Sequence, residues 1–288
     1  MVDVSSLSVW VDGGLVSPDE PSVRAHDHGL TVGDGVFETC VVRDGQPFAL
    51  TRHLRRLATS AKGLGLPAPD DARLREAAAA VLADRERRDG VPLAHGRLRM
   101  TLTGGAGPLG SGRDDTPATL LVLASPVPRP EASTAVHVVP WVRNERSAVA
   151  GLKTTSYAEN VVALARAHDH GASEAIFANT RDELCEGTGS NVVVVLDGRA
   201  VTPPLESGCL AGITRELLLE WAAADGVVIQ ERAVGMDELA CAQEVLLTSS
   251  TRDVQPVHRV DDRQLEPGPV GAELAAMFRR HAAEHVDP

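Results

Sequence analysis

Gly151-Leu152-Lys153-Thr154-Thr155-Ser156-Tyr157 holds one of only two lysines in the 288-residue chain; Lys62 is the other, so nearly every cation is an arginine. The stretch is rich in Ser and Thr and precedes a segment, residues 158–170, whose apolar spacing predicts a helix. A lysine in such a turn has two readings. It is a solvated loop residue, or it is an amine placed to form a Schiff base with a carbonyl or a pyridoxal cofactor. The rest of the chain has to decide between them.

Composition narrows the classes. Hydrophobic residues make up 43% and charged residues 24%, as in a globular protein with a sizeable core. A net charge of -12 argues against general nucleic-acid binding, which needs a concentrated basic face. It leaves room for a small anion held by a few arginines. Cys40, Cys185, Cys209 and Cys241 form neither a Cys-x-x-Cys pair nor a zinc spacing, so free thiols in a cytoplasmic protein are expected. Residues 1–10 lack the basic and apolar regions of a signal peptide, and no apolar run is long enough to span a membrane.

Outward from the lysine, other segments carry chemistry. Upstream, His26-Asp27-His28 lies in a glycine-rich loop that leads into a strand at residues 36–42. No third ligand follows at metal-site spacing, and no metal is expected. Thr51 is read as the N-cap of a helix over residues 52–64. Arg52 in the first turn suggests a nearby anion, because the helix dipole disfavours a cation there, while Arg55 and Arg56 fit a solvated basic face. Residues 97–103 alternate, placing Arg97, Arg99 and Thr101 on one strand face. The loop at residues 104–112 contains Gly105-x-Gly107-x-x-Gly110. No helix follows, so the dinucleotide reading fails and the loop is taken as a mobile rim. Three prolines in residues 125–130 mark a linker. They divide the chain into domains at 1–124 and 133–288, with residues 125–132 between.

Downstream, Glu186-Gly187-Thr188-Gly189-Ser190-Asn191 places a carboxylate in an open glycine loop ahead of a strand. Gly212-Ile213-Thr214 enters a helix. Free N–H groups there form a phosphate site in outline, or Thr214 acts as a plain N-cap. Ser249-Ser250-Thr251 gathers hydroxyls at a strand end. His281 and His285 lie one helical turn apart and are read as solvated.

Together these segments meet the needs of a phosphorylated pyridine aldehyde: an amine, a carboxylate for the ring nitrogen, and an anion cup. With them, Gly33-Asp34-Gly35-Val36-Phe37-Glu38-Thr39, Arg52-His53-Leu54-x-Arg56-Leu57, Thr202-Pro203-Pro204 and Gly212-Ile213-Thr214-Arg215 stand in an order and spacing that identify a family. From about residue 9 to 260 the chain resembles the fold-type IV, class IV pyridoxal-phosphate enzymes. That family includes D-amino-acid, branched-chain and (R)-amine transaminases and aminodeoxychorismate lyases.

The resemblance implies an α/β, α+β two-domain fold. A smaller α/β N-terminal domain accompanies a larger C-terminal domain built around a pseudo-barrel, and two chains form a homodimer. It implies pyridoxal 5′-phosphate as cofactor and Lys153 as the Schiff-base and proton-transfer residue. Glu186 contacts the pyridine nitrogen, Tyr157 the phenolic oxygen, and Arg52, Ile213, Thr214 and Ser250 the phosphate, with Ser190, Asn191 and Gly212 also around the cofactor. Phe37, Thr39, Arg97, Arg99 and Thr251 line the substrate side. The expected reaction passes the amino group of a D-amino acid, or of an (R)-amine, to a 2-oxo acid. Aminodeoxychorismate lyase and branched-chain L-amino-acid aminotransferase are the alternatives. A non-catalytic vitamin B6 carrier is disfavoured, because passive binding does not need both Lys153 and Glu186.

Overall fold

In a computed structural model, which describes residues 6–288, the chain separates into two compact units. The reading of residues 1–10 as free of a signal peptide falls partly on residues 1–5, outside the described residues. The first unit comprises Met1–Arg129 together with Leu152–Ser156 and Val286–Pro288; the second comprises Pro130–Gly151 and Tyr157–His285. The lysine stretch is thus counted with the first unit, although it follows the proline-rich segment.

The first unit runs β1 (Ser8–Val11), β2 (Gly14–Val16), α1 (His28–Thr31), β3 (Gly35–Arg43), β4 (Gln46–Pro47), α2 (Leu50–Leu64), α3 (Asp71–Asp89), β5 (His95–Thr103) and β6 (Leu120–Pro126). Its strands form an antiparallel sheet in the order β2-β1-β6-β5-β3-β4. Asp44 and Gly45, with φ of 48° and 79°, make the tight β3–β4 turn that such a pair favours. Period-two alternation then sorts the central strands. Val36, Cys40 and Val42 of β3, with Leu98, Met100 and Leu102 of β5, share a core with Leu54, Leu57, Leu74, Ala77 and Val81 of α2 and α3. The opposite face carries Phe37, Thr39 and Val41, paired with Thr101, Arg99 and Arg97. Arg97 and Arg99 therefore lie on one face, as the alternation predicts.

The second unit runs β7 (Thr134–Arg143), α4 (Ala158–Asp169), β8 (Glu174–Asn179), β9 (Leu184–Gly187), β10 (Asn191–Leu196), β11 (Arg199–Thr202), α5 (Ile213–Ala224), β12 (Ile229–Glu231), α6 (Met236–Cys241), β13 (Glu244–Ser249), β14 (Asp253–Val260), β15 (Arg263–Gln264) and α7 (Pro269–Glu284). Its sheet follows the order β12-β11-β10-β13-β14-β7-β8-β9. A short loop joins β9 at the far end to β10 near the start, with Gly187 N–H donating to Ser190 O at 2.7 Å. Strands β10 to β9 therefore curl back on themselves, and apolar side chains of β7 to β10, β13 and β14 fill the interior.

Two helix starts differ from expectation. Ala49, not Thr51, is the N-cap of α2; its φ is 55° and it has no capping side chain. Gly212, not Thr214, is the N-cap of α5, again without a side-chain cap. The proline segment also contributes its first residues to a strand, since β6 runs through Pro126; Pro126 is the last residue of β6 and lies beyond Ala124, where the pairing with β1 ends, and a missing N–H is tolerated at such a strand end.

Candidate active site

Within the first unit, the lysine stretch adds to the β3 edge that faces away from β5. Thr154 bridges Val36. Phe37 N–H donates to Lys153 O (3.0 Å) and Thr155 N–H to Gly35 O (2.8 Å). Lys153 N–H donates to Ser60 Oγ of α2 (3.1 Å). These bonds hold the main chain of Lys153, and its side chain reaches the Phe37 ring, with Nζ 4.5 Å from the centroid. The Arg99 guanidinium lies 3.7 Å from the same centroid. One buried aromatic ring thus carries both cations, an attraction that partial burial strengthens. Thr39 faces Arg99 across the strands, while Arg97 is exposed.

The same unit holds a polar cluster missed in the sequence. Glu38 is fully buried and lies on the helix-covered face. Arg56 Nε and Nη2 donate to its two oxygens at 2.6 and 2.7 Å, and His53 Nδ1 lies 2.6 Å from Oε2. Arg56 is therefore not part of a solvated face, whereas Arg55 is exposed. Burial alone would raise the Glu38 pKa; the charge and hydrogen bonds of Arg56, then those of His53, outweigh it and hold the carboxyl well below its ordinary range. Burial pushes His53 down, so the neutral ring donates Nδ1–H to the carboxylate. β3 reads Val36-Phe37-Glu38-Thr39-Cys40-Val41-Val42, and the mark of this cluster was Glu38 standing on the core face between Val36 and Cys40.

In the second unit, Glu186 is the penultimate residue of β9. Leu210 N–H donates to Oε2 at 2.9 Å, and Arg143 Nε stands 3.5 Å from Oε1. Arg143 also pairs with Glu159, donates to Asn160 Oδ1 at 3.0 Å and stacks 4.1 Å over Phe177. The glycine loop after Glu186 is pinned by buried Glu174, which accepts from Thr188 Oγ1 (2.6 Å) and Gly189 N–H (2.7 Å) and pairs with Arg252 (3.1 Å). Arg143 ends β7, Glu174 starts β8 and Arg252 lies in the turn before β14, and no local spacing announces them.

The loop into α5 is shaped by close approach. Asn191 Nδ2 donates to Leu210 O at 2.8 Å, which brings its carbonyl against Gly212. A Cβ on Gly212 would stand 1.9 Å from Asn191 Oδ1. Ile213 and Thr214 follow as buried first-turn residues of a twelve-residue helix. The Ser190 and Thr248 hydroxyls are buried without a partner, and Ser250 and Thr251 form the turn between β13 and β14. Tyr157 is the N-cap residue of α4. Gly212→Ala is expected to force this loop apart and to weaken cofactor binding by at least about ten-fold, the scale of an overpacked core position. Equilibrium titration of the apo protein checks it.

Other singled-out motifs serve packing. Asp27 caps α1 through Gly29 N–H at 2.8 Å and accepts from Thr103 and Thr119. His28 Nε2 lies 2.9 Å from Pro108 O. The glycine loop is therefore tied down in its first half, with His28 N–H on Gly105 O and Gly107 N–H on His26 O, while residues 109–112 are exposed. His281 is not solvated as read: it stacks on Trp221 and meets Asp225 at 3.1 Å.

The class IV aminotransferase family model matches residues 35–260. The chain belongs to that family. It is 32% identical to a bifunctional aminodeoxychorismate lyase / D-amino acid transaminase of Mycobacterium tuberculosis, across 94% of this chain and 97% of that one. A fold IV transaminase structure from Curtobacterium pusillum superposes with a TM-score of 0.84 at 32% identity, covering 97% of this chain and 100% of that chain. The branched-chain aminotransferase of Thermoproteus uzoniensis gives 0.87 at 29% identity, over 96% and 95%. Class IV aminotransferases are pyridoxal-phosphate enzymes, so the fold-type IV assignment and the cofactor stand as expected.

The donor set suits that group. A helix N-terminus without a side-chain cap, beside a loop where only glycine fits, presents backbone N–H groups to an anion. Buried hydroxyls without partners, those of Ser190 and Thr248 among them, lie in the same unit. Among the described residues, no helix is long and apolar enough to cross a membrane.

Proposed function

We propose that this class IV aminotransferase moves the amino group of a D-amino acid to a 2-oxo acid. In this reading Lys153 holds the carbonyl end of the cofactor and carries a proton between the substrate Cα and the cofactor C4′. Glu186 faces the pyridine nitrogen and Tyr157 the phenolic oxygen. Arg52, Ser250 and the N–H groups of Ile213 and Thr214 hold the phosphate, with Ser190, Asn191 and Gly212 shaping that cup. Pyridoxal phosphate, when bound, supplies an electron sink for the charge left at Cα.

The observation that carries the substrate class is Arg99. Its guanidinium shares the Phe37 ring with the Lys153 amine and faces Thr39 across the strands. A fixed guanidinium beside the reacting amine suits a substrate carboxylate, which an amino acid has and a simple (R)-amine lacks. Arg97 and Thr251 line the outer side. The D configuration is supported by the name of the Mycobacterium tuberculosis relative. That name also supports lyase activity as a second reading, and the archaeal structure keeps branched-chain L-amino acids in the test.

Purified protein is incubated with D-alanine, L-leucine and (R)-1-phenylethylamine, each with 2-oxoglutarate or pyruvate, and separately with aminodeoxychorismate. The expected result is fastest turnover of D-alanine. Preferential reaction of L-leucine, or pyruvate release from aminodeoxychorismate alone, would replace this reading with the corresponding alternative. We place the enzyme in the cytoplasm, as its free thiols suggest, and as a homodimer. The exposed Trp141, Val142, Val161 and Val162 of β7 and α4 supply an apolar surface for association. Light scattering should therefore return twice the chain mass.

A further inference from the structure

We infer that Val286–Pro288 is a positioning strap for Arg52, seated by Asp287. The inference rests on the reading that Arg52 holds the cofactor phosphate.

Helix α2 starts without a capping side chain of its own, because Ala49 occupies the N-cap. Its first N–H groups then need acceptors from elsewhere. Val286–Pro288 supplies them in step. Ala49 N–H donates to Val286 O at 2.8 Å. Thr51 N–H donates to Asp287 Oδ1 at 2.8 Å, and Thr51 Oγ1 to Oδ2 at 2.5 Å. Arg75 reinforces the seat by donating to Thr51 Oγ1 at 2.9 Å. Asp287 thus performs the N-cap role from a position 236 residues away, and its negative charge meets the positive end of the helix.

The next contact goes beyond capping. Arg52 Nε donates to Pro288 O at 2.9 Å. A guanidinium is planar and its donors form a rigid fork, so holding Nε sets the direction of the whole group. A cap would require only the main chain of residues 49–52; this contact restrains the side chain that the phosphate reading depends on. The strap therefore helps order Arg52 in advance, and its loss removes one restraint on a long side chain in the unbound protein.

The test compares two ligands on apo protein, pyridoxal phosphate and pyridoxal, by following their absorbance. The variants are a chain ending at His285, Asp287→Asn, Arg52→Ala, and Arg52→Ala combined with the shortened chain. Shortening is expected to weaken pyridoxal phosphate about ten-fold, the worth of one hydrogen bond to a charged group. Pyridoxal, which has no phosphate, should change less than about two-fold on that scale. Asp287→Asn should show part of the same selective loss, and shortening should add nothing once Arg52 is alanine. Equal weakening of both ligands would make the strap a mere scaffold, and unchanged or tighter pyridoxal phosphate binding would also overturn the inference. Unchanged affinity in Arg52→Ala would instead remove the phosphate reading beneath it.

Discussion

Replacing Lys153 with alanine is expected to lower turnover of every substrate by at least about a thousand-fold, the combined scale of losing a covalent-binding amine and a proton carrier. The structure makes this variant unusually clean. Two hydrogen bonds that seat Lys153 use its main-chain atoms: Lys153 O accepts from Phe37 N–H and Lys153 N–H donates to Ser60 Oγ. Alanine keeps both, so the melting temperature should move little while activity disappears. Measuring turnover and thermal unfolding on the same preparation separates the two effects. Retained turnover would end the assignment of this lysine, and a collapsed melting temperature would show that its side chain, not its backbone, holds the site together.

The largest stability effect is expected at Glu38. Glu38→Ala leaves the Arg56 guanidinium buried against the core without the carboxylate that accepts two of its hydrogen bonds. Removing one partner of a buried ion pair typically costs about 3–5 kcal/mol, and here His53 loses its acceptor as well. Chemical denaturation near pH 8 checks the value. The pH dependence has a defined sign. Burial opposes the charge, but Arg56 and then His53 depress the Glu38 pKa below its ordinary 4.5. Its stabilising contribution is therefore complete above that ordinary value and is lost only as pH falls below it toward the depressed one. The gap between wild type and Glu38→Ala should stay level down to about pH 5 and narrow only in stronger acid. A gap that closed between pH 7 and 6 would show that the carboxylate is not held as the geometry implies.

Local chemistry made much of the candidate site legible. Lys153, the Glu186 loop and the Gly212 entry to α5 each lie in a short run of residues whose backbone needs and side-chain chemistry coincide. Strand alternation likewise placed Arg97 and Arg99 on one face. The misreadings share one cause. Thr51 and Thr214 are suitable N-caps by type, yet Ala49 and Gly212 stand at those positions. In α2 the capping oxygen comes from Asp287, and in α5 the close approach of Asn191 excludes any residue but glycine. Arg56 has the polarity of a solvated helix face, but Glu38 draws it inward.

The sequence by itself determined the family and the cofactor and named the segments proposed to carry the chemistry, because those follow from motifs a few residues long and their order along the chain. Only the tertiary structure decided which groups those segments lean on. Glu174 and Arg252 pin the Glu186 loop, Ser60 seats Lys153, and Pro288 orients Arg52. Each of these is a polar partner brought in from a distant part of the chain to satisfy a donor or charge that burial would otherwise leave unpaired. Such a partner is chosen by packing geometry, which no local pattern of residue types encodes.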